Sequence, residues 1–124
     1  APFSMEVGGL GSFPNSRRAR IIWIGIRAPA ALEILQHGLE AAAARLGYEA
    51  ETRPFSPHLT VGRVRQQVSA SNQQKVRAAL EKTQVSALGS ANVTAVHLFK
   101  SDLKSSGTEY TKLFSANLQL RGEI

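Results

Sequence analysis

A chain of 124 residues, 43% hydrophobic and 19% charged, is long enough for one hydrophobic core and too short for two full domains, so a single domain over residues 1–124 is predicted. The absence of cysteine excludes a disulfide framework and a thiolate metal site, and no stretch approaches the roughly 20 apolar residues of a membrane helix. Lys and Arg outnumber Asp and Glu by 15 to 9, and the resulting net charge of +6 favours polyanionic partners such as RNA, with no membrane partner implied.

The chain opens "APFSMEV", with neither an initiator methionine nor a signal-like apolar segment. A soluble, cytoplasmic protein is expected, either processed or part of something longer. Residues 3–10, "FSMEVGGL", alternate apolar and polar side chains and read as a strand, and the turn-forming "GSFPNSRRAR" follows. Residues 20–27, "RIIWIGIR", are rich in β-branched residues and apolar on both faces, which suits a central strand with Trp23 in the core. Pro29 fits a first helical turn. Leu32, Leu35, Leu39, Ala43 and Leu46 recur at helical spacing, and Gly47 stands where a helix would stop.

A polar connection over 48–57 leads into "SPHLTVGRVR", a strand from about residue 57 to 64 whose first position tolerates proline. Ser69 or Ser71 is placed to cap a second helix running to about Lys82, with Val76 and Leu80 as its apolar points. Two strands, 91–103 and 109–120, joined by a "KSSG" turn, complete the order. The pattern predicts an α+β fold, a largely antiparallel sheet with helices packed on one face.

Alternation along the strand at 57–64 puts His58, Thr60 and Gly62 on one side and sends Leu59 and Val61 toward the core. His58 and Thr60 stand about 6.6 Å apart along such a strand, a span that a phosphoryl group fits. Imidazole exchanges protons near neutral pH, a threonine hydroxyl donates to a phosphate oxygen, and arginine offers phosphate a planar fork of donors. Histidine, one residue, then threonine is a weak pattern by itself, and most strands that carry it use it structurally.

In context the letters say more. "RPFSPHLTVGRVR", taken with "GGLGSFPNSRRARIIWIGI", resembles the second half of the bacterial 2'-5' RNA ligase group, the RNA 2',3'-cyclic phosphodiesterases of the two-histidine (2H) phosphoesterase superfamily. "VHLFKSDLKSSGTEYTKL" resembles that family's closing hairpin. The resemblance implies a two-lobed, pseudo-twofold fold in which each lobe supplies one histidine-x-threonine strand to a shared cleft. It implies His58 and Thr60 as catalytic residues and Arg63 as a substrate-binding residue, and Tyr110, in a familiar place of the hairpin, is a further substrate-binding candidate. It also implies RNA with 2',3'-cyclic phosphate or 2'-5' linked ends as the substrate, with neither metal nor cofactor. One histidine would activate water against the cyclic phosphate while the other protonates the leaving oxygen.

Arg17 and Arg18, with Arg20, stand in the basic turn as phosphate contacts, although a solvated loop is the plainer account. Strict alternation turns Arg63 away from His58, and only a bulge near Gly62 would bring it back. Tyr110 serves equally well as a cleft donor, a stacking ring or a half-buried hairpin residue. His37 should face solvent on its helix, and His97 shares a strand face with Ala95 and Phe99 as a structural residue.

The family's first motif belongs to a segment preceding "MEVGGLGSFP" that is not among these residues. One imidazole cannot be base and acid on opposite sides of phosphorus in one step, and each such group contributes about 10²- to 10⁴-fold. Impaired activity of this chain alone is therefore expected. Three explanations stay open: a fragment of a complete enzyme, which is preferred; a homodimer through exposed sheet edges, pairing two His58 side chains; and a non-catalytic RNA-binding or self-associating module.

Overall fold

The computed structural model describes residues 1–120. Its elements run β1 (Phe3–Phe13), β2 (Ile21–Arg27), α1 (Ala30–Arg45), β3 (His58–Arg63), α2 (Ala70–Lys82), β4 (Ala87–Val93), β5 (Ala95–Lys104) and β6 (Gly107–Asn117). The fold is α+β. The strands form a four-stranded sheet ordered β3-β2-β1-β4 and a two-stranded β5–β6 sheet, with antiparallel pairing of β1 with β2, β2 with β3 and β5 with β6. The residues group into two compact units, one formed by Met5–Ala91 and the other by Ala1–Ser4 with the chain from Asn92 onward. No helix of the described residues is long and apolar enough to cross a membrane.

In the larger unit, β1 is longer than the alternation at 3–10 predicts. An extra residue enters at Gly8–Gly9, where the register passes from Val7↔Ile26 to Leu10↔Ile24, and pairing then continues to Phe13↔Ile21. Gly9 takes φ +83°, which suits a residue without Cβ, and its N–H donates to the Val85 carbonyl at 2.9 Å. A Cβ on Gly8 would sit 2.8 Å from the Ser86 carbonyl oxygen, so this bare backbone is what lets the start of β4 approach. Arg20 N–H closes the loop onto the Phe13 carbonyl at 2.8 Å, and Ala19 beside it is fully buried.

The registers assign the two faces of this sheet. Val7, Leu10, Ile22, Ile24 and Ile26 share one face and are half-buried; Phe13, Trp23 and His58 share the other. β2 is an interior strand as its sequence predicts, but its side chains are half-buried rather than enclosed. Leu59 and Val61, expected in the core, are 48% and 62% exposed. β3 is an edge strand, with a neighbour on one side only, and its apolar side chains lose half the surroundings that an interior strand provides.

The helices follow their sequence signals closely at the ends. α1 stops in a Schellman arrangement: Gly47 N–H donates to Ala44 O and Tyr48 N–H to Ala43 O, each at 3.1 Å, with Gly47 at φ +98°. Its half-buried face holds Leu32, Leu35 and Ala43, whereas Leu39 and Leu46 of the predicted stripe are 52% and 79% exposed. Ser69 caps α2, its hydroxyl accepting the Asn72 N–H at 3.1 Å, and Val76 and Leu80 are half-buried. The tail differs from expectation. The strand predicted over 91–103 is two strands, β4 and β5, separated at Thr94. β4 begins well before residue 91 because β1, not its own composition, supplies its ladder.

In the smaller unit, β5 and β6 pair from Ala95↔Asn117 to Lys104↔Gly107 around a two-residue turn, with one register slip at Leu113.

Two open glycines, Gly38 within α1 and Gly47 just past its end, give opposite expectations. A Cβ on Gly38 or on Gly47 would meet nothing within 4 Å, so only backbone preference decides the outcome. Gly38→Ala in the helix interior should stabilise by about 0.5–1 kcal/mol, and Gly47→Ala, held at positive φ, should destabilise by about 1 kcal/mol. Urea denaturation midpoints moving in opposite directions check this.

Candidate functional site

His58 opens β3, directly after Pro57, and is half-buried. Its Nδ1 lies 2.7 Å from the carbonyl oxygen of Ser56. A carbonyl only accepts, so the ring nitrogen must donate, and the neutral imidazole is thereby fixed as the Nδ1–H tautomer. Nε2 then carries the lone pair, the state a general base requires.

Two aromatic rings hold the imidazole from the sheet side. Phe13 meets it edge-to-face, with centroids 5.0 Å apart and planes at 88°, and Trp23 stands at 6.4 Å. Phe13 and Trp23 pack on each other at 5.2 Å. Phe13 is aligned with Ile21 and His58 with Gly25, on strands separated by β2. On a flat sheet two strand spacings alone amount to about 9.6 Å. Contact between the Phe13 and His58 rings therefore requires the sheet to coil, with this face concave.

Glycine makes the aromatic floor possible. Any Cβ at Gly11 would overlap the Trp23 indole, so the ring lies across bare β1 backbone. Trp23 is half-buried beside His58, not a core residue, and its indole N–H is buried without a hydrogen-bond partner among the described residues. Sequence reasoning missed Phe13 and Trp23 as neighbours of the histidine. The available signal was Gly11 and Gly25, each directly across or two places along from Trp23 in the β1–β2 ladder.

Thr60 pairs with Trp23, on the same face as His58, and is exposed. Between Thr60↔Trp23 and Gly62↔Ile22 the register slips by one residue, leaving Val61 as the extra one. Gly62 consequently moves to the opposite face, against the simple alternation. Arg63, paired with Ile21, returns to the face of Trp23, Thr60 and His58. His58, Thr60 and Arg63 thus form a polar row along one side of an edge strand: an imidazole, a hydroxyl and an exposed guanidinium.

Arg17 and Arg18 lie in the loop between β1 and β2, which leaves the sheet at the Arg63 end. Asn15 Oδ1 accepts both of their backbone N–H groups at 3.0 Å, fixing the loop, and both side chains are exposed. Arg20 is otherwise engaged, its Nη1 donating to the Arg65 carbonyl at 2.9 Å. Tyr110 belongs to the β5–β6 hairpin, where it pairs with Ser101 and is 67% exposed. His37 faces solvent. His97 is exposed on β5, with Nδ1 2.7 Å from Ser115 Oγ.

The chain is similar to known proteins. The model of the 2'-5' RNA ligase superfamily matches residues 1–104. An RNA 2',3'-cyclic phosphodiesterase of Methanothermobacter thermautotrophicus is 35% identical over 112 residues, 90% of this chain and 59% of that protein. Another, of Aeropyrum pernix, is 28% identical over 123 residues, 98% of this chain and 68% of that protein. The crystal structure of TT0787 of Thermus thermophilus superposes with a TM-score of 0.69 at 26% identity, covering 95% of this chain and 61% of that one. This chain thus spans 59% of the length of the first of these relatives. Because the matched region takes in β3 and both strands on which its histidine rests, the chain belongs to the 2'-5' RNA ligase superfamily.

Proposed function

We propose that these residues supply one acid/base half of an RNA 2',3'-cyclic phosphodiesterase or 2'-5' RNA ligase-type phosphoesterase. The observation that carries the proposal is the Nδ1–H donation from His58 to Ser56, which leaves the lone pair on Nε2 of a ring that shares its sheet face with Thr60 and Arg63. Similarity to relatives named RNA 2',3'-cyclic phosphodiesterase supports the choice of substrate.

His58 Nε2 takes a proton from the water attacking phosphorus or, as imidazolium, gives one to the departing ribose oxygen. In the hydrolytic direction the new bond is water oxygen to phosphorus, and the bond to the 3' oxygen breaks. The 3' oxygen leaves with a proton, and a 2'-phosphate end remains. With the 5'-hydroxyl of another RNA in place of water, the same attack forms a 5' oxygen to phosphorus bond, the bond to the 3' oxygen breaks, the 3' oxygen leaves with a proton, and a 2'-5' linkage results. Thr60 donates its hydroxyl to a non-bridging oxygen, and Arg63 offsets the phosphate charge with paired N–H donors. Arg17 and Arg18 extend the positive field toward the neighbouring phosphates.

The second acid/base group comes either from a segment of the same polypeptide outside these residues or from His58 of a second copy meeting the edge at β3. We take the first, since the M. thermautotrophicus relative is the longer protein. Protons move between imidazole and oxygen throughout, so the chemistry asks for no metal.

The test presents a 2',3'-cyclic-phosphate-ended oligonucleotide, with chelator, to this chain and to the full reading frame containing it. The full frame should turn over undisturbed by chelator, and His58→Ala should lower its kcat by about 10²- to 10⁴-fold. Activity that survives His58→Ala, or that chelator removes, overturns the mechanism. Arg63→Ala should raise KM for the same substrate about tenfold with a smaller loss in kcat, and Arg63→Lys should restore only part of it, because lysine lacks the planar fork. An unchanged KM removes Arg63 from the site.

A further inference from the structure

The β5–β6 hairpin presents two chemically different faces. Its register puts His97, Phe99, Ser101, Tyr110, Lys112 and Ser115 on one of them. The acids lie on the other, where Asp102 is paired with Lys100 at 3.7 Å and Glu109 with Lys104. Among the described residues of the hairpin, the first face therefore carries one lysine, Lys112, and several hydroxyls with no carboxylate to oppose them.

Aromatic rings stand open on that same face. Phe99 is 49% exposed and Tyr110 67% exposed. They are diagonal neighbours across the β5–β6 ladder, a separation of about 7 Å that successive bases of one strand can span. The Lys112 ammonium stands 5.9 Å from the centroid of the Phe99 ring, and the His97 ring meets Phe99 at 6.1 Å and 71°. The His97 ring is in turn held by Ser115 at 2.7 Å. An exposed ring flanked by an unopposed cation, with hydroxyls to either side, is how sheet surfaces bind unpaired nucleotides. Bases stack on the rings and the cation meets the backbone phosphate.

We propose that this face of the hairpin binds single-stranded RNA, with Phe99 and Tyr110 as stacking rings and Lys112 as the phosphate contact. The choice of RNA rests on the function proposed above; the geometry and charge of the face are independent of it. The shortage of acid on this face, within a chain of net charge +6, favours a polyanion over an acid-poor protein surface.

The experiment measures binding of a labelled single-stranded RNA with an ordinary 3'-hydroxyl end by fluorescence anisotropy, so that no cyclic phosphate enters. Phe99→Ala and Tyr110→Ala should each weaken binding about tenfold, and Phe99→Tyr and Tyr110→Phe, which keep a stacking ring, should not. Lys112→Ala should reduce the slope of log affinity against log salt by about 1, whereas Lys100→Ala on the opposite face should leave affinity within twofold. Circular dichroism of each variant confirms the fold.

The proposal is overturned if the parent fails to bind, or if the two ring-to-alanine variants stay within twofold of it, as they would if the face served a protein contact. It is equally overturned if Lys100→Ala weakens binding as much as Lys112→Ala. Turnover of the cyclic-ended oligonucleotide is measured apart from this binding, so loss of catalysis and loss of hairpin binding are read separately. An inert parent that still binds through Phe99 sinks only the catalytic proposal.

Discussion

The pairing of β3 with β2, together with its one-residue slip at Val61, is the constraint on which the candidate site depends. With perfect alternation the edge strand would display His58, Thr60 and Gly62 together and send Arg63 to the far side. The slip exchanges Gly62 for Arg63, replacing an empty position with a cation. The same ladder sets Trp23 opposite Thr60 and Gly25 opposite His58, so the aromatic floor and the polar row are fixed by one set of backbone hydrogen bonds. A shift of one residue in that register would turn the histidine over to the face that carries Ile24.

Orientation of the imidazole has two independent sources. The Ser56 carbonyl fixes which nitrogen is protonated, and Phe13 with Trp23 limits how the ring can turn. The first comes from the chain just ahead of β3, where Pro57 holds the backbone extended. The second comes from residues on the neighbouring strands β1 and β2. Tautomer and angle thus depend on different parts of the larger unit.

Local signals in the sequence were legible where the physics is local. Ser69 caps α2 and Gly47 ends α1 because each satisfies backbone groups within a few residues of itself. The α+β class and the strand carrying His58 and Thr60 follow from periodicity that the described residues reproduce. Features made by distant pairing were not legible. "ALGSANV" contains little that favours a strand, and β4 exists because β1 opens beside it at Gly8. The face of Arg63 could be posed only as a condition, since a bulge leaves no mark in the letters "TVGR". Trp23 reads as core in an apolar run, and only the register shows it beside the histidine. Leu39, Leu46, Leu59 and Val61 fit their periodic patterns yet stay open to solvent, since periodicity reports a face and not what covers it.

Gly11 is an absence that shapes chemistry. The indole can recline across β1 only where that strand has no side chain, and Phe13 leans on the indole before either reaches the imidazole. The resting angle of the ring is therefore tuned from a position with no functional group of its own, two strands removed. A methyl added there would tilt the stack from beneath, turning the imidazole while every polar atom of the row kept its place in the chain.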